Sequence, residues 1–152
     1  MADAYSVQYT KWNRNVPAEP IKPIEHYGRV RLSYANYVAA AEQSDIYMFN
    51  LPNGARILTM EVAHDALGSN TTLSVGHAAY NTSAGVPVPA DDDEFKAAAA
   101  STSASVTGAA LTVALGRHMV VDADKDGMPI TVSLAGDDGT GAISLTCTWV
   151  LD

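Results

Sequence analysis

The amino-acid sequence predicts an all-β protein, an antiparallel β-sandwich led by an extended N-terminal arm and carrying one short helix. Three observations predict it. Apolar and polar residues alternate in short runs, Gly, Pro, Asn, Asp and Ser close nearly every run, and only one stretch favours a helix. About eight strand-like runs separated by such turns suit a sandwich or a barrel, which buries one face of each strand.

The first strand lies in GRVRLSYANYV at 28–38, where Val30, Leu32 and Tyr34 alternate with Arg29, Arg31 and Ser33, predicting one dry and one wet face. IYMFNL at 46–51 is the second, closed by Pro52-Asn53-Gly54. In ARILTMEVAH, Leu58, Met60, Val62 and His64 share a phase. Gly68-Ser69-Asn70 then leads into TLSVGHAA, with Leu73, Val75 and His77 in phase, so the two runs are expected to form a hairpin. A Gly, Pro and Ser loop follows Asn81. DDDEFKAAAASTSA then offers an N-cap and acidic first-turn charge ahead of alanines, which predicts the short helix. LTVAL at 111–115 and RHMVV at 117–121 read as strands, and PITVSLAG puts Ile130, Val132 and Leu134 on one side. The last run, AISLTCTWVL, alternates most strictly: Ile143, Leu145, Cys147, Trp149 and Leu151 face one way, Ser144, Thr146 and Thr148 the other.

Residues 1–27 are a separate unit, an extended arm ahead of the 28–152 domain. They hold three of the seven prolines, Pro17, Pro20 and Pro23, which remove backbone donors and bias their predecessors toward extended geometry. Tyr5, Tyr9, Trp12, Ile21, Ile24 and Tyr27 give the arm more apolar surface than a solvated linker carries, so it is expected to dock. Charge divides along the same boundary. Lys11, Arg14, Lys22, Arg29 and Arg31 outnumber Asp3, Glu19 and Glu25, leaving the first 31 residues about +2 in a chain of net charge −8.

That acidity excludes a nucleic-acid partner bound through a basic face. At 152 residues the chain forms one domain with a real core. The single cysteine cannot make an internal disulfide, so stability comes from packing. No run is long and apolar enough for a membrane span and the N-terminus lacks a signal-peptide pattern, so no membrane partner and folding in the cytoplasm are expected.

The sharpest motif is Asp122-Ala123-Asp124-Lys125-Asp126-Gly127, which matches the opening of an EF-hand calcium loop. The twelfth loop position, where a bidentate Glu belongs, is Ser133, and Pro129 with the alternation of ITVSL excludes the exit helix. The motif therefore reads as an acidic turn bent at Gly127, with a weak divalent-ion site at Asp122, Asp124 and Asp126 as the alternative. His64 and His77 share the inward phase of the expected hairpin but lack a third ligand, so no metal is expected. Cys147, between Leu145 and Trp149 in phase, reads as a small core residue. No nucleophile elbow, Cys-His pair or phosphate loop is present, which argues against an enzyme and against a cofactor.

Three stretches together carry a family likeness: GRVR with the aromatics after it at 28–37, LPNGARIL at 51–58 and LSVGH at 73–77. Over residues 20–152 the chain resembles the head decoration, or capsid cement, proteins of tailed bacteriophages. The resemblance implies a β-sandwich or jelly-roll subunit, commonly a homotrimer, on the capsid exterior in the virion, clamping neighbouring major capsid proteins. Tyr5, Tyr9, Trp12, Arg14, Pro17, Pro20, Lys22 and Pro23 are then the expected capsid-contact residues of the arm. Two alternatives use the same strands: another virion β-protein, such as a head-fibre base, tail or adaptor component, and a carbohydrate-binding or hydrolytic sandwich. The latter is disfavoured because only Phe95 and Trp149 supply aromatic surface beyond Tyr80.

Overall fold

The computed structural model describes residues 29–39, 45–137 and 139–151. The arm and its eight expected contact residues lie outside the described residues. The described chain forms ten strands: β1 Arg31–Ala39, β2 Asp45–Leu51, β3 Ala55–His64, β4 Thr71–His77, β5 Tyr80–Asn81, β6 Pro87–Val88, β7 Asp91–Ala100, β8 Ser105–Ala109, β9 Met128–Gly136 and β10 Gly141–Leu151. One four-stranded sheet has the order β1-β10-β3-β8 and the other β2-β9-β4-β7, while β5 and β6 make a small hairpin. All pairings are antiparallel. Except where β4 leads through the small hairpin to β7 in the same sheet, successive strands pass from one sheet to the other, so this is a jelly roll, in which most neighbours within a sheet are distant in sequence.

The core fills the space between the sheets. Val62, Ile143, Leu145 and Cys147 from the first sheet meet Leu73, Val75, Ile130 and Val132 from the second, and all eight are almost fully buried. β10 keeps its expected phase, with Ile143, Leu145, Cys147 and Trp149 inward. On β3 the phase slips once. Thr59 pairs with Thr148 and Ile57 with Trp149, so Leu58 is the extra residue of a bulge and Ile57 takes the buried place.

Four expectations from the sequence are corrected. The 91–104 helix is absent: Asp91–Ala100 is the strand β7, the edge of the second sheet, paired with β4 in an interrupted register. A helix this short is marginal by its own propensity. Pairing satisfies the backbone along β4 while Phe95 enters the core, and Ala110 N–H bonds to the Phe95 carbonyl at 2.7 Å. The strand crosses β4 so closely that a Cβ at Gly76 would collide with the Asp91 carbonyl, which is why glycine stands there.

The expected hairpin of 55–64 with 71–77 is the second correction. β3 and β4 belong to different sheets, and the chain between them crosses the end of the sandwich. Leu67 of this crossing is fully buried, and its backbone bonds to Ser101 and Thr140. The two apolar phases therefore meet face to face across the core, which buries more than edge pairing would.

Third, 111–121 holds no strand. Val113–Leu115 is a 3₁₀ turn capped by Thr112, whose side chain accepts from Leu115 N–H, and 117–121 lies along β3 with one bridge, Arg56 to Val120. The strand of this region is instead β8, a run of small residues without an apolar phase. Fourth, the faces of β1 are reversed. Leu32 and Tyr34 are exposed while Ser33, Ala35 and Tyr37 turn inward. Trp149 already fills this edge of the core, and its Nε1–H donates to Ser33 Oγ at 2.9 Å, so a small polar residue fits where a leucine would collide.

Phe95 is the test of the β7 assignment. Phe95→Ala should lower stability by about 3–5 kcal/mol, the range for a truncated buried aromatic, read as a shift in the denaturant midpoint. Phe95 on a solvated helix would cost under about 1 kcal/mol.

Candidate functional site

The acidic turn resolves into a structural loop. Asp122 accepts from Ser83 N–H at 3.0 Å, and its hydrogen bonds with Ser83 hold its carboxyl below the usual carboxylate range. Asp124 Oδ1 accepts from Asp126 N–H at 2.9 Å, and Gly127 takes the bend at φ +80°. Asp126 is paired with Lys125 at 2.7 Å and its carbonyl accepts from the Asn50 amide at 2.8 Å. The Asp122 carboxylate is engaged by Ser83 of the β5–β6 hairpin and that of Asp124 by the loop's own Asp126 N–H, and among the described residues no group of three His, Cys, Asp or Glu side chains is disposed to hold a metal ion.

The two inward histidines are not brought together. β3 ends at His64 and β4, entering from the same end, leaves His77 at the opposite one. His64 Nδ1 lies 2.8 Å from the Asp65 carbonyl and His77 Nδ1 lies 3.1 Å from that of Ala78. The His77 ring meets Tyr80 and Phe95 edge-on. Both behave as hydrogen-bonded core residues. Cys147 is fully buried, and loss of solvation pushes its thiol up to about 12.

What the fold leaves open to solvent is the outer face of the first sheet. Thr59, Glu61 and Ala63 of β3 lie beside Thr148, Thr146 and Ser144 of β10, a strip of short side chains. The Thr59 and Thr148 hydroxyls bond to one another across it. Apolar residues flank the strip on both sides. Leu32, Tyr34 and Val38 of β1 are 60–70% exposed on one edge, and Val106 and Leu111 are about as exposed on the other. Between them runs a groove of about 580 Å³, bounded by Tyr34, Asn36, Ala63, Val106 and Ser144. Exposed apolar surface flanking such a strip marks a contact site, and among the described residues β1 is the edge strand of its sheet. Arg31 stacks over the Trp149 ring at 5.4 Å, fixing the start of this edge where residues 1–28 join it.

The alternation in 28–38 marked Val30, Leu32 and Tyr34 as a cohesive stripe but assigned it to the core. Val106 gives no usable signal, because isolated apolar residues among small ones are common on surfaces, and Leu111 falls in LTVAL, which the sequence pattern reads as a strand.

No family model matches the chain, and no curated protein does. Solved structures do. The chain is similar over 100% of its length to 100% of a chain of the cyanophage Pam1 capsid asymmetric unit, with a TM-score of 0.59 and 18% identity. The shared property is the fold. A chain of the Ralstonia phage GP4 capsid matches 89% of this chain over 93% of its own, at a TM-score of 0.60 and 17% identity. A chain of the acid-stable capsid of Helicobacter pylori bacteriophage KHP30 matches 80% over 87%, at 0.54 and 13%. The jelly roll seen here is thus a fold used by chains of phage capsids, held with few identical residues.

The Cys147 environment makes a direct prediction. Its thiol should react with a disulfide reagent at pH 8 at least about a hundredfold more slowly in the native protein than in denaturant. Because the folded state keeps the proton to higher pH than the unfolded state, stability should fall as pH rises from about 9 toward 12, and Cys147→Ala should remove that part of the slope.

Proposed function

We propose that the protein is a structural component of a bacteriophage head, a decoration protein seated on the outside of the shell and bound to the major capsid protein. The observation that carries this reading is the end-to-end likeness of its fold to a chain of a phage capsid. The exposed apolar groove of the first sheet supports it, since it supplies a contact surface on the folded body. An acidic chain also suits a position away from the packaged DNA.

In this reading the arm of residues 1–27 is the adhesive segment, with Tyr5, Tyr9, Trp12, Arg14, Pro17, Pro20, Lys22 and Pro23 against the shell. Proline reduces the freedom such a segment loses on docking. Copies assemble as a homotrimer, so each particle engages several shell subunits at once and no single arm needs high affinity. The function is mechanical, without catalysis: material bound across subunit seams adds interface that must be exposed before the seams part under the pressure of DNA.

Removing residues 1–27 should abolish binding to heads while leaving circular dichroism and the melting transition of the body intact. Counting copies on purified particles tests the position. Hundreds per head fit decoration, whereas a dozen or fewer would place the protein at the portal or tail. A truncated chain that still saturates heads would remove the arm from the mechanism.

A further inference from the structure

Strand β7 is held against its own local preference. In its sequence, DDDEFKAAAA, Phe95 alone is a residue type that strands favour. Alanine has the highest helix propensity of all residues, and the acids from Asp91 to Glu94 suit the first turn of a helix. Among the described residues β7 also has a single strand neighbour, β4, because it forms the edge of the second sheet. On its β9 side, β4 keeps an unbroken register from Thr71 with Gly136 to His77 with Ile130. On its β7 side the register breaks twice. Residues 92–95 stand opposite Gly76 alone, between the pairs His77 with Asp91 and Val75 with Lys96, and residues 97 and 98 stand opposite Ser74.

Little buried surface rewards this pairing. Phe95 is the one buried residue of β7, Glu94 and Lys96 are half-buried, and the other seven are exposed. Closure also leaves a polar group unsatisfied. Thr131 pairs with Gly76 and shares its outward face, and the backbone of Asp91 and Asp92 lies over Gly76 on that face. Thr131 is 2% exposed, and its hydroxyl bonds to no described residue. Opening gives that hydroxyl access to water and removes the penalty.

Two attachments oppose opening. Phe95 sits in the core with its ring edge-on to His77 at 6.3 Å, and its carbonyl accepts from Ala110 N–H. Just past the strand, Ser101 is fully buried. Its N–H donates to the Thr71 carbonyl at 3.0 Å and its hydroxyl to Thr71 Oγ1 at 2.9 Å, while its carbonyl accepts from Leu67 N–H. These bonds survive the departure of β7, whereas the Phe95 contacts do not.

We infer that β7 is a releasable strap, which leaves β4 as one unit in a local transition short of global unfolding, with Phe95 as its latch and Ser101 as its fixed end. Each opening makes β4 the edge of the second sheet and frees backbone groups that can pair with another strand. The device belongs to the fold and is independent of what the arm binds.

Residue-resolved hydrogen exchange on the full-length chain tests it. Amides that join β7 to β4 should exchange at least about a hundredfold faster than core amides of β9 and β10, at one common rate, and with little dependence on denaturant. That comparison needs no variant. Ala98→Thr with Ala100→Thr places β-branched residues at exposed positions of β7, and should slow its exchange by about tenfold while leaving β10 amides unchanged. Protection of β7 equal to that of β10, with the same denaturant dependence, overturns the inference. So does protection graded from the ends, with the amides around Phe95 locked, because that is fraying and not release. Exchange that the threonines fail to slow also overturns it, since local preference would then not set the opening.

Discussion

Each of the two sheets has one apolar face, and neither face can stay in water, so the whole structure depends on holding them against one another. Side chains from Val62, Leu145 and Cys147 on one side and Val75, Ile130 and Val132 on the other interlock in a layer that excludes solvent. No disulfide reinforces it. The hydrophobic term must outweigh the conformational entropy of the chain by itself. This explains why the connections are tied down too. Leu67 plugs one end of the sandwich with its backbone bonded to Ser101, just after β7, and Thr140, just before β10, and Val121 and Ala123 are buried at the other end.

The same constraint decides what the surface can be used for. Strands committed to the core on one face have only their outer face to offer, and on the first sheet that face is short-chained in the middle and apolar at its edges. A surface of this shape accepts another protein surface or an extended segment more readily than a small polar substrate. The polar groups that could have suggested chemistry are occupied internally: the aspartates of the turn by backbone N–H groups, the histidines by neighbouring carbonyls, the thiol by burial.

Strands with strict alternation were legible in the sequence. β10 and β9 show this: Ile143, Leu145, Cys147 and Trp149, and Ile130, Val132 and Leu134, are buried as their alternation predicts, while Leu151 at the end of β10 is only half-buried. The acidic turn was also legible, because a missing twelfth ligand and a following proline are local facts. β7 was not. Its aspartates and alanines carry the local signature of a capped helix, and only an unpaired β4 beside it makes the strand preferable. β8 was silent for a related reason: Ser, Thr, Gly and Ala have no phase to read.

Alternation and turn chemistry by themselves determined the sandwich class, the core residues of β4, β9 and β10, and the bend at Gly127, because each follows from contacts within a few residues or from one face needing to be dry. Tertiary structure alone decided which strands share a sheet and which face of β1 points inward. It also decided that Leu32, Tyr34 and Val38 form a surface. The physical reason is volume: the space between the sheets is finite, Trp149 and Tyr37 occupy its edge, and an apolar stripe that finds the core already filled is left outside.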